Sequence, residues 1–368
     1  MRLTCSQKDL HYCLGIVSLA VSSSTTLPVL NNILLKAANK KLFFSSTNLE
    51  IAINMSIPAD IRNEGAITVP AKLITNYTAF LEDNDIEMRV EDGTTLLLKS
   101  KSSQTKIKGI SPDEFPLIPK VERETAIEVG AKILGDAIDT TVFSAATTNT
   151  RPVLAGVYVV AEKDTLKMVA TDSFRLAEKK IKLLKKTEKT IECIVPTRTL
   201  LELGRILNTK DEKDVVEIHI SKNQILFSIS GIELVSRLID GKFPDYEKII
   251  PKAARTKLEA PVGHLTLATK RVSLFAKENN NSVKLSATND GRLQIATDET
   301  SVGEEKAEID VKISGENNSV ALNSQYLLDV LGHLKENVLI EMDEKLTPVV
   351  VRSVKKDDYL YIIMPLKV

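Results

Sequence analysis

The sequence predicts an α+β protein made of three similar domains in series, and a repeated motif is the main reason. A short polar turn between apolar stretches occurs as STN at 46–48 and as ATD at 170–172 and 296–298. The copies are 124 and 126 residues apart, so three units account for the 368 residues. A period of this length is that of a complete domain, and it is much longer than a solenoid unit of roughly 20–50 residues.

Three further landmarks recur at nearly the same interval and in the same order. From them we place three repeats, each expected to be a domain, at 1–122, 123–251 and 252–368. The landmark pairs are TLPVL (26–30) with TRPVL (150–154), VPAK (69–72) with VPTR (195–198), and EFP (114–116) with KFP (242–244).

Each repeat opens with the apolar spacing of an amphipathic helix. In repeat 1, Leu10, Cys13, Leu14, Val17 and Val21 recur three or four residues apart, as residues on one helix face do. A second helix is predicted in the middle of each repeat, at 71–81, 197–207 and 323–334. The opening helices of repeats 2 and 3 are predicted from Leu134, Ala137, Ile138 and Val142, and from Leu265, Ala268, Val272 and Phe275.

Alternating apolar residues predict β-strands in the remainder of each repeat. Val157, Val159 and Ala161 alternate with other residues, and polar turns such as 289–291 separate such segments. Two helices against many short strands indicate helices packed on antiparallel sheets.

Bulk composition gives no sign of a membrane or a strongly charged partner. The 49 basic residues balance 49 acidic ones, and the three cysteines form no CxxC pair. The apolar run near the N-terminus is interrupted by Lys8, Asp9 and His11, so an amphipathic helix is the better interpretation than a signal peptide. We expect a cytoplasmic protein without a membrane partner.

Catalytic and metal-binding patterns are weak. Gly130 and Gly135 have phosphate-loop spacing, but Asp136 stands where that loop needs lysine. The four histidines are scattered, and the acidic run at 82–85 lacks the pattern of a calcium loop. Asp172 and Asp298 could be catalytic carboxylates, but Asn48 at the equivalent place favours a structural turn. We expect no enzyme activity, no catalytic residues, no metal and no cofactor.

Five strings together resemble the bacterial DNA polymerase III beta subunit family, the sliding clamps. They are VATDSFRLA (169–177), DGKFPDY (240–246), YIIMPLKV (361–368), TLPVL (26–30) and YLLDVL (326–331). The resemblance implies half of a six-domain ring, closed as a head-to-tail homodimer around double-stranded DNA that it binds without sequence preference. It also implies a processivity factor in DNA replication, whose partners are the DNA polymerase III catalytic subunit, the clamp loader and other clamp-motif proteins.

The resemblance implies that helices line the hole, so basic helix residues become DNA-binding candidates. The six predicted helices carry a net charge of +3 within a neutral chain, which has the sign that phosphate contacts require. Each of these cations could equally be a solvated surface charge. The DNA-binding candidates are Lys72, Arg151, Arg198, Arg205, Lys270 and Arg271.

The resemblance also implies a pocket that docks short motifs of the Gln-Leu-x-Leu-Phe type, with Arg175 donating to the bound peptide. Judged alone, Leu366 and Val368 would be a fraying chain end, whereas the resemblance puts this end in the pocket. Its implied wall comprises Leu154, Thr171, Ser173, Phe174, Arg175, Leu176, Pro244, Lys248, Ile249, Ile362, Met364, Pro365 and Leu366.

The implied dimer interface joins repeat 3 of one copy to repeat 1 of another. The candidate residues are Leu274 and Phe275, facing Thr105 and Ile107. Leu274 and Phe275 could instead both belong to the core. The alternative function is a three-domain protein-interaction scaffold that does not encircle DNA.

Overall fold

A computed structural model describes residues 1–22, 27–82, 84–123, 126–148, 150–301, 303–355 and 357–367. Thr26 of the first landmark, Asp83 of the acidic run and Val368 lie outside this part of the chain. The fold divides into two compact units. Unit 1 comprises Met1–Lys132 and Arg198–Leu238, and unit 2 comprises Ile133–Thr197 and Ile239–Val368. The three domain boundaries drawn from the sequence remain a prediction.

Two helices per repeat form where the sequence predicts them. The opening helix of repeat 1 ends at Val17, four residues before Val21, because the chain tightens into a 3-10 turn and then extends. Its apolar stripe of Leu10, Cys13 and Leu14 is fully buried. The helices are α1 Gln7–Val17, α2 Ala71–Ala79, α3 Ala131–Thr141, α4 Thr197–Leu207, α5 Val262–Ala276 and α6 Ser324–Leu331.

Strands make up most of the remaining described chain. In order they are β1 Arg2–Ser6, β2 Asn32–Ala38, β3 Lys41–Thr47, β4 Ile51–Pro58, β5 Asp60–Asn63, β6 Gly65–Pro70, β7 Asp85–Glu91, β8 Thr95–Lys99, β9 Gln104–Lys108, β10 Ala126–Gly130, β11 Gly156–Glu162, β12 Thr165–Thr171, β13 Arg175–Lys182, β14 Ile191–Pro196, β15 Val215–Ile220, β16 Gln224–Ile229, β17 Ile232–Arg237, β18 Thr256–Pro261, β19 Ser282–Thr288, β20 Arg292–Ala296, β21 Lys306–Asp310, β22 Lys312–Gly315, β23 Asn318–Asn323, β24 Asn337–Met342, β25 Val349–Ser353 and β26 Tyr359–Ile363.

Each unit contains two antiparallel sheets. In unit 1 the strand orders are β5-β1-β7-β8-β9 and β10-β15-β16-β17-β4-β3-β2-β6. In unit 2 they are β14-β11-β12-β13-β26-β25-β24-β18-β22 and β21-β20-β19-β23. The fold class is therefore α+β with antiparallel sheets, as predicted.

The larger sheet of each unit joins strands from two consecutive repeats. In unit 1, β4 of repeat 1 pairs with β17 of repeat 2, with Ala52 opposite Val235. In unit 2, β13 of repeat 2 pairs with β26 of repeat 3, with Leu176 opposite Ile362. The strand orders on both sides of these two junctions match, so the same junction occurs twice.

By the same correspondence, β9 and β21 are the strands of repeats 1 and 3 that would form a third such junction. β9 is the edge of the five-stranded sheet, and β21 is the edge of the four-stranded sheet. Within the described chain, each pairs with a strand on one side only. Two strand edges of matching type are therefore left open.

The repeated polar turn is closed by hydrogen bonds from its own backbone to an Asn or Asp side chain. Asn48 Oδ1 accepts hydrogen bonds from the backbone N–H groups of Glu50 (3.0 Å) and Ile51 (2.8 Å). Asp172 Oδ1 does the same for Phe174 (2.9 Å) and Arg175 (3.0 Å). The structural interpretation of the Asn48 and Asp172 positions is confirmed, because both side chains are used to close their own turns.

Burial determines the reactivity of two of the cysteines. Cys5, Cys13 and Cys193 are free thiols. Burial raises the pKa of Cys5 and of Cys13 to about 12, so neither forms a reactive thiolate at neutral pH.

Among the helices in the described ranges, none has the length and apolar character needed to cross a bilayer.

Candidate functional site

An apolar pocket lies at the junction of β13 and β26 in unit 2. Its volume is about 540 Å³. Nine of the thirteen residues implied by the resemblance line it, together with six that were not assigned to it. The fifteen lining residues are Thr150, Arg151, Pro152, Val153, Leu154, Thr171, Ser173, Arg175, Leu176, Pro244, Asp245, Tyr246, Ile249, Ile362 and Met364.

The pocket floor is part of a continuous hydrophobic cluster. Leu154, Leu176, Tyr246 and Ile362 are buried in this cluster beside Phe243. The Tyr246 hydroxyl donates to the buried carboxylate of Glu178, and burial followed by this hydrogen bond raises the pKa of the phenol. The buried phenol therefore has a hydrogen-bond partner beneath the apolar lining.

One wall is the turn at 172–175, which closes the β12–β13 hairpin. Thr171 Oγ1 donates to the Arg175 carbonyl (2.6 Å) and accepts from the Ser173 N–H (3.1 Å). Ser173 has φ of 81°, in the left-handed region, and Phe174 is 61% exposed. Phe174 is therefore a rim residue that does not line the pocket itself.

The left-handed conformation of Ser173 predicts a stability effect. A side chain in this region costs roughly 1–2 kcal/mol, which glycine avoids, while the greater freedom of glycine in the unfolded chain offsets part of the gain. Ser173→Gly should therefore raise the free energy of unfolding by about 0.5 kcal/mol or more in urea denaturation. Ser173→Ala is the control, since it keeps the Cβ and should not stabilise. Equal effects of the two variants would contradict the argument.

Arg175 lies under this turn with its guanidinium group already occupied. Its Nε donates to Asp172 Oδ2 at 3.0 Å and its Nη2 donates to the Phe143 carbonyl at 2.7 Å. Its Nη1 forms an ion pair with Asp329. The group also lies 4.7 Å from the ring centroid of Tyr326. Each nitrogen thus has a protein partner, and the donation from Arg175 to a bound peptide stays a prediction.

The chain end forms the opposite wall and is held in place. The Met364 N–H donates to the Phe174 carbonyl, and the Leu366 N–H donates to the Ala321 carbonyl, each at 2.8 Å. Met364 lines the pocket, while Pro365 and Leu366 are half-buried beside it. The interpretation of Leu366 as a fraying end is therefore wrong.

The rim carries two cations with different surroundings. Lys248 does not line the pocket, and its Nζ forms an ion pair with Asp245 Oδ2 at 2.7 Å. Arg151, which was assigned to DNA, lines the pocket, and its Nη1 donates to Ser173 Oγ at 3.4 Å. Thr150, Pro152 and Val153 line the pocket beside Arg151.

The six lining residues that the sequence analysis did not assign to the pocket all belong to the TRPVL and DGKFPDY strings. These strings were therefore the sequence signal that could have identified them.

The remaining DNA-binding candidates lie on helices with exposed side chains. In unit 1, Lys72 is on α2 and Arg198 is in the first turn of α4, and in unit 2 Lys270 is on α5. Arg205 pairs with Glu202 on the same helix at 2.8 Å. Arg271 approaches Glu305 at 3.9 Å. Lys72, Arg198 and Lys270 have no carboxylate partner among the described residues, so they are the cations most available to phosphate.

The dimer-interface candidates differ in exposure. Leu274 is 63% exposed on α5 and is not part of the core, whereas Phe275 is half-buried. Thr105 and Ile107 lie on the edge strand β9, but Ile107 is only 3% exposed. The Ile107 side chain is therefore covered within its own unit, and its assignment to the interface stays a prediction. The open backbone edge of β9 remains available.

Comparison with known proteins covers the whole chain. Sequence profiles of the N-terminal, central and C-terminal domains of the DNA polymerase III beta subunit match residues 1–119, 128–245 and 247–367. A beta sliding clamp of Staphylococcus aureus is 29% identical over 358 residues, which is 95% of this chain and 94% of that protein.

Solved structures agree with the sequence profiles. The DNA polymerase sliding clamp of Bacillus subtilis matches with a TM-score of 0.95 and 29% identity, over 100% of this chain and 99% of that one. A Pseudomonas aeruginosa sliding clamp (DNA polymerase III subunit beta) bound to griselimycin matches with a TM-score of 0.94 and 29% identity over all of both chains. The chain therefore belongs to the DNA polymerase III beta subunit family, the bacterial sliding clamps.

Proposed function

We propose that this chain is a DNA sliding clamp that closes into a ring-shaped homodimer around duplex DNA. The observation that carries the proposal is the pair of open edges. The same junction between repeats forms twice within the chain, at β4–β17 and β13–β26. The strands that would form it a third time, β21 and β9, both have a free side in the described chain. Two copies joined head to tail would pair both sets, which closes the assembly.

A closed ring explains why the chain needs no strong affinity for DNA. The chain is neutral overall, with 49 basic and 49 acidic residues. A ring retains DNA by topology, so contacts can be weak, blind to sequence and limited to phosphates, which is what sliding requires. A three-domain scaffold that does not encircle DNA gives no account of the matching open edges and is not favoured.

We infer that the unit 2 pocket docks short linear motifs of the polymerase catalytic subunit, the clamp loader and other clamp-binding proteins. Its floor is apolar, its walls are fixed by hydrogen bonds, and its volume of about 540 Å³ suits a few apolar side chains. The sliding-clamp family consists of processivity factors without catalysis, so we further propose a non-enzymatic, cytoplasmic role for this chain.

Retention on circular DNA tests the proposed function. The protein would be loaded by a clamp loader and ATP onto a nicked circular plasmid and separated from free protein by gel filtration. We expect the protein to stay with the circle and to leave after a single restriction cut. Equal retention on circular and linear DNA would contradict encirclement, and failure to associate with either at loading conditions would favour the scaffold.

Direct binding to DNA without loading should be weak and strongly dependent on salt. Sequence-independent phosphate contacts typically give Kd values of about 10⁻⁴–10⁻⁶ M. Replacing Lys72 and Arg198 by alanine should lower the slope of log K against log salt by about 2, because each phosphate contact contributes about 0.9. Lys40→Ala with Lys41→Ala is a control of equal charge, since Lys40 lies in the β2–β3 turn, Lys41 begins β3, and both are exposed. An equal change in the control would contradict the helix assignment.

A further inference from the structure

The structure links the peptide pocket to a helix residue that does not line it. We propose that Asp329 on α6 is a positioning residue, which acts through Arg175 to hold the 172–175 turn in the shape that receives a peptide. The inference rests on the proposed function, because it assumes that this pocket binds peptides. It goes beyond that function by assigning a determinant of affinity outside the pocket.

The carboxylate of Asp329 is held by two neighbouring side chains. Its Oδ2 pairs with Arg175 Nη1, and its Oδ1 accepts from Gln325 Nε2 at 2.6 Å. The side chains of Arg175 and Asp329 are only 11% and 25% exposed. The start of α6 is fixed, because Asn323 Oδ1 accepts from the N–H groups of Gln325 and Tyr326. The carboxylate therefore has a defined position relative to the helix.

Arg175 transmits this position to the turn through Asp172. Asp172 uses Oδ2 for Arg175 Nε and Oδ1 for the backbone N–H groups of Phe174 and Arg175. The intervening residue, Ser173, holds a left-handed φ of 81°, which persists only when its surroundings impose it. The contacts from Asp329 through Arg175 to Asp172 add to the local hydrogen bonds that hold this turn.

The same segment also holds the second wall. Ala321 lies in β23, directly before α6, and its carbonyl accepts from the Leu366 N–H. The Tyr361 hydroxyl donates to the Tyr326 carbonyl on α6 at 3.0 Å, and the next residue, Ile362, lines the pocket. The Met364 N–H donates to the Phe174 carbonyl, which joins the chain-end wall to the turn. Residues 321–331 thus contact both walls of the pocket without lining it.

Removing the Asp329 charge should release the turn without emptying the pocket. Arg175 is enclosed by the rings of Tyr326 and Phe143 at 4.7 Å and 5.6 Å. A largely buried guanidinium with a lost partner is unfavourable, so Arg175 would move toward water and leave Asp172. Loss of preorganisation then lowers affinity although no residue of the pocket lining has changed.

The test is the affinity of a fluorescein-labelled Gln-Leu-Ser-Leu-Phe peptide, measured by anisotropy for the full-length protein. We expect Asp329→Asn to weaken binding about tenfold and Asp329→Glu, which keeps a carboxylate, to recover most of the loss. Asp139→Asn is the matched control, because Asp139 is an exposed acid on α3, and it should bind as the wild type does. Hydrogen exchange should show faster exchange of the 172–176 amides in Asp329→Asn, with unit 1 unchanged.

Wild-type affinity in Asp329→Asn would overturn the inference, as would an equal loss in Asp139→Asn. If Asp329→Asn does not fold, Arg175→Lys decides, since it keeps the charge but cannot make the three-way contact. We expect Arg175→Lys to lose at least fivefold in affinity. Where Asp329→Asn does fold, its combination with Arg175→Lys should bind no more weakly than the worse single variant. If the wild-type protein itself does not bind the peptide, the proposed pocket fails instead.

Discussion

A Leu274→Asp variant should sediment as a monomer at micromolar concentrations at which the wild-type protein is a dimer. Leu274 is 63% exposed on α5, and α5 packs against β21, whose outer edge is open. In the proposed dimer this surface meets the open edge β9 of the partner subunit. Burying an unpaired carboxylate there costs several kcal/mol, and about 4 kcal/mol corresponds to a roughly thousandfold higher dimer Kd.

The control is Leu346→Asp, which introduces the same charge at a leucine that is 60% exposed in the β24–β25 connection of a different sheet. That variant should remain a dimer. Leu274 is a better test than Phe275, because Phe275 is half-buried and its replacement would also disturb packing inside the unit. Leu274→Asp dimers of wild-type affinity, with an unchanged circular dichroism spectrum, would place the interface elsewhere.

The elements that the sequence predicts well are those that depend on local patterns. The spacing of Leu10, Cys13 and Leu14 predicts α1, because residues on one helix face are a few positions apart. The pairing of β4 with β17 could not be predicted in this way. This pairing places Ala52 opposite Val235. Local periodicity predicts that a segment is a strand, but it does not predict which distant strand will pair with it.

The site was predictable only through the strings that resemble the sliding-clamp family. Leu176 and Ile362 come from such strings and do lie opposite each other. Asp329 was missed, although it is in the YLLDVL string, because an acidic residue on a helix normally indicates a solvated face. The burial of Ile107 (3% exposed) could not be predicted either, since alternation along β9 does not say which face of the sheet is buried.

Deleting residues 364–368 should weaken binding of a Gln-Leu-x-Leu-Phe peptide at least tenfold, which corresponds to about 1.4 kcal/mol. The deletion removes Met364 from the pocket wall and leaves the carbonyls of Phe174 and Ala321 without their N–H partners. The turn that carries Ser173 then loses its contact to the chain end. Because β26 ends at Ile363, the nine-stranded sheet keeps all its strands.

Deleting only residues 367 and 368 is the matched control, because it leaves Met364 and the hydrogen bond from Leu366 in place. This shorter truncation should bind the peptide within about twofold of the wild type, and both truncations should remain dimers because the open edges β9 and β21 are untouched. Calorimetry on both proteins separates the outcomes. Equal affinities for the two truncations would mean that the chain end does not form a wall of the peptide site, whereas a loss confined to the longer one assigns that wall to Met364 and its hydrogen-bonded neighbours.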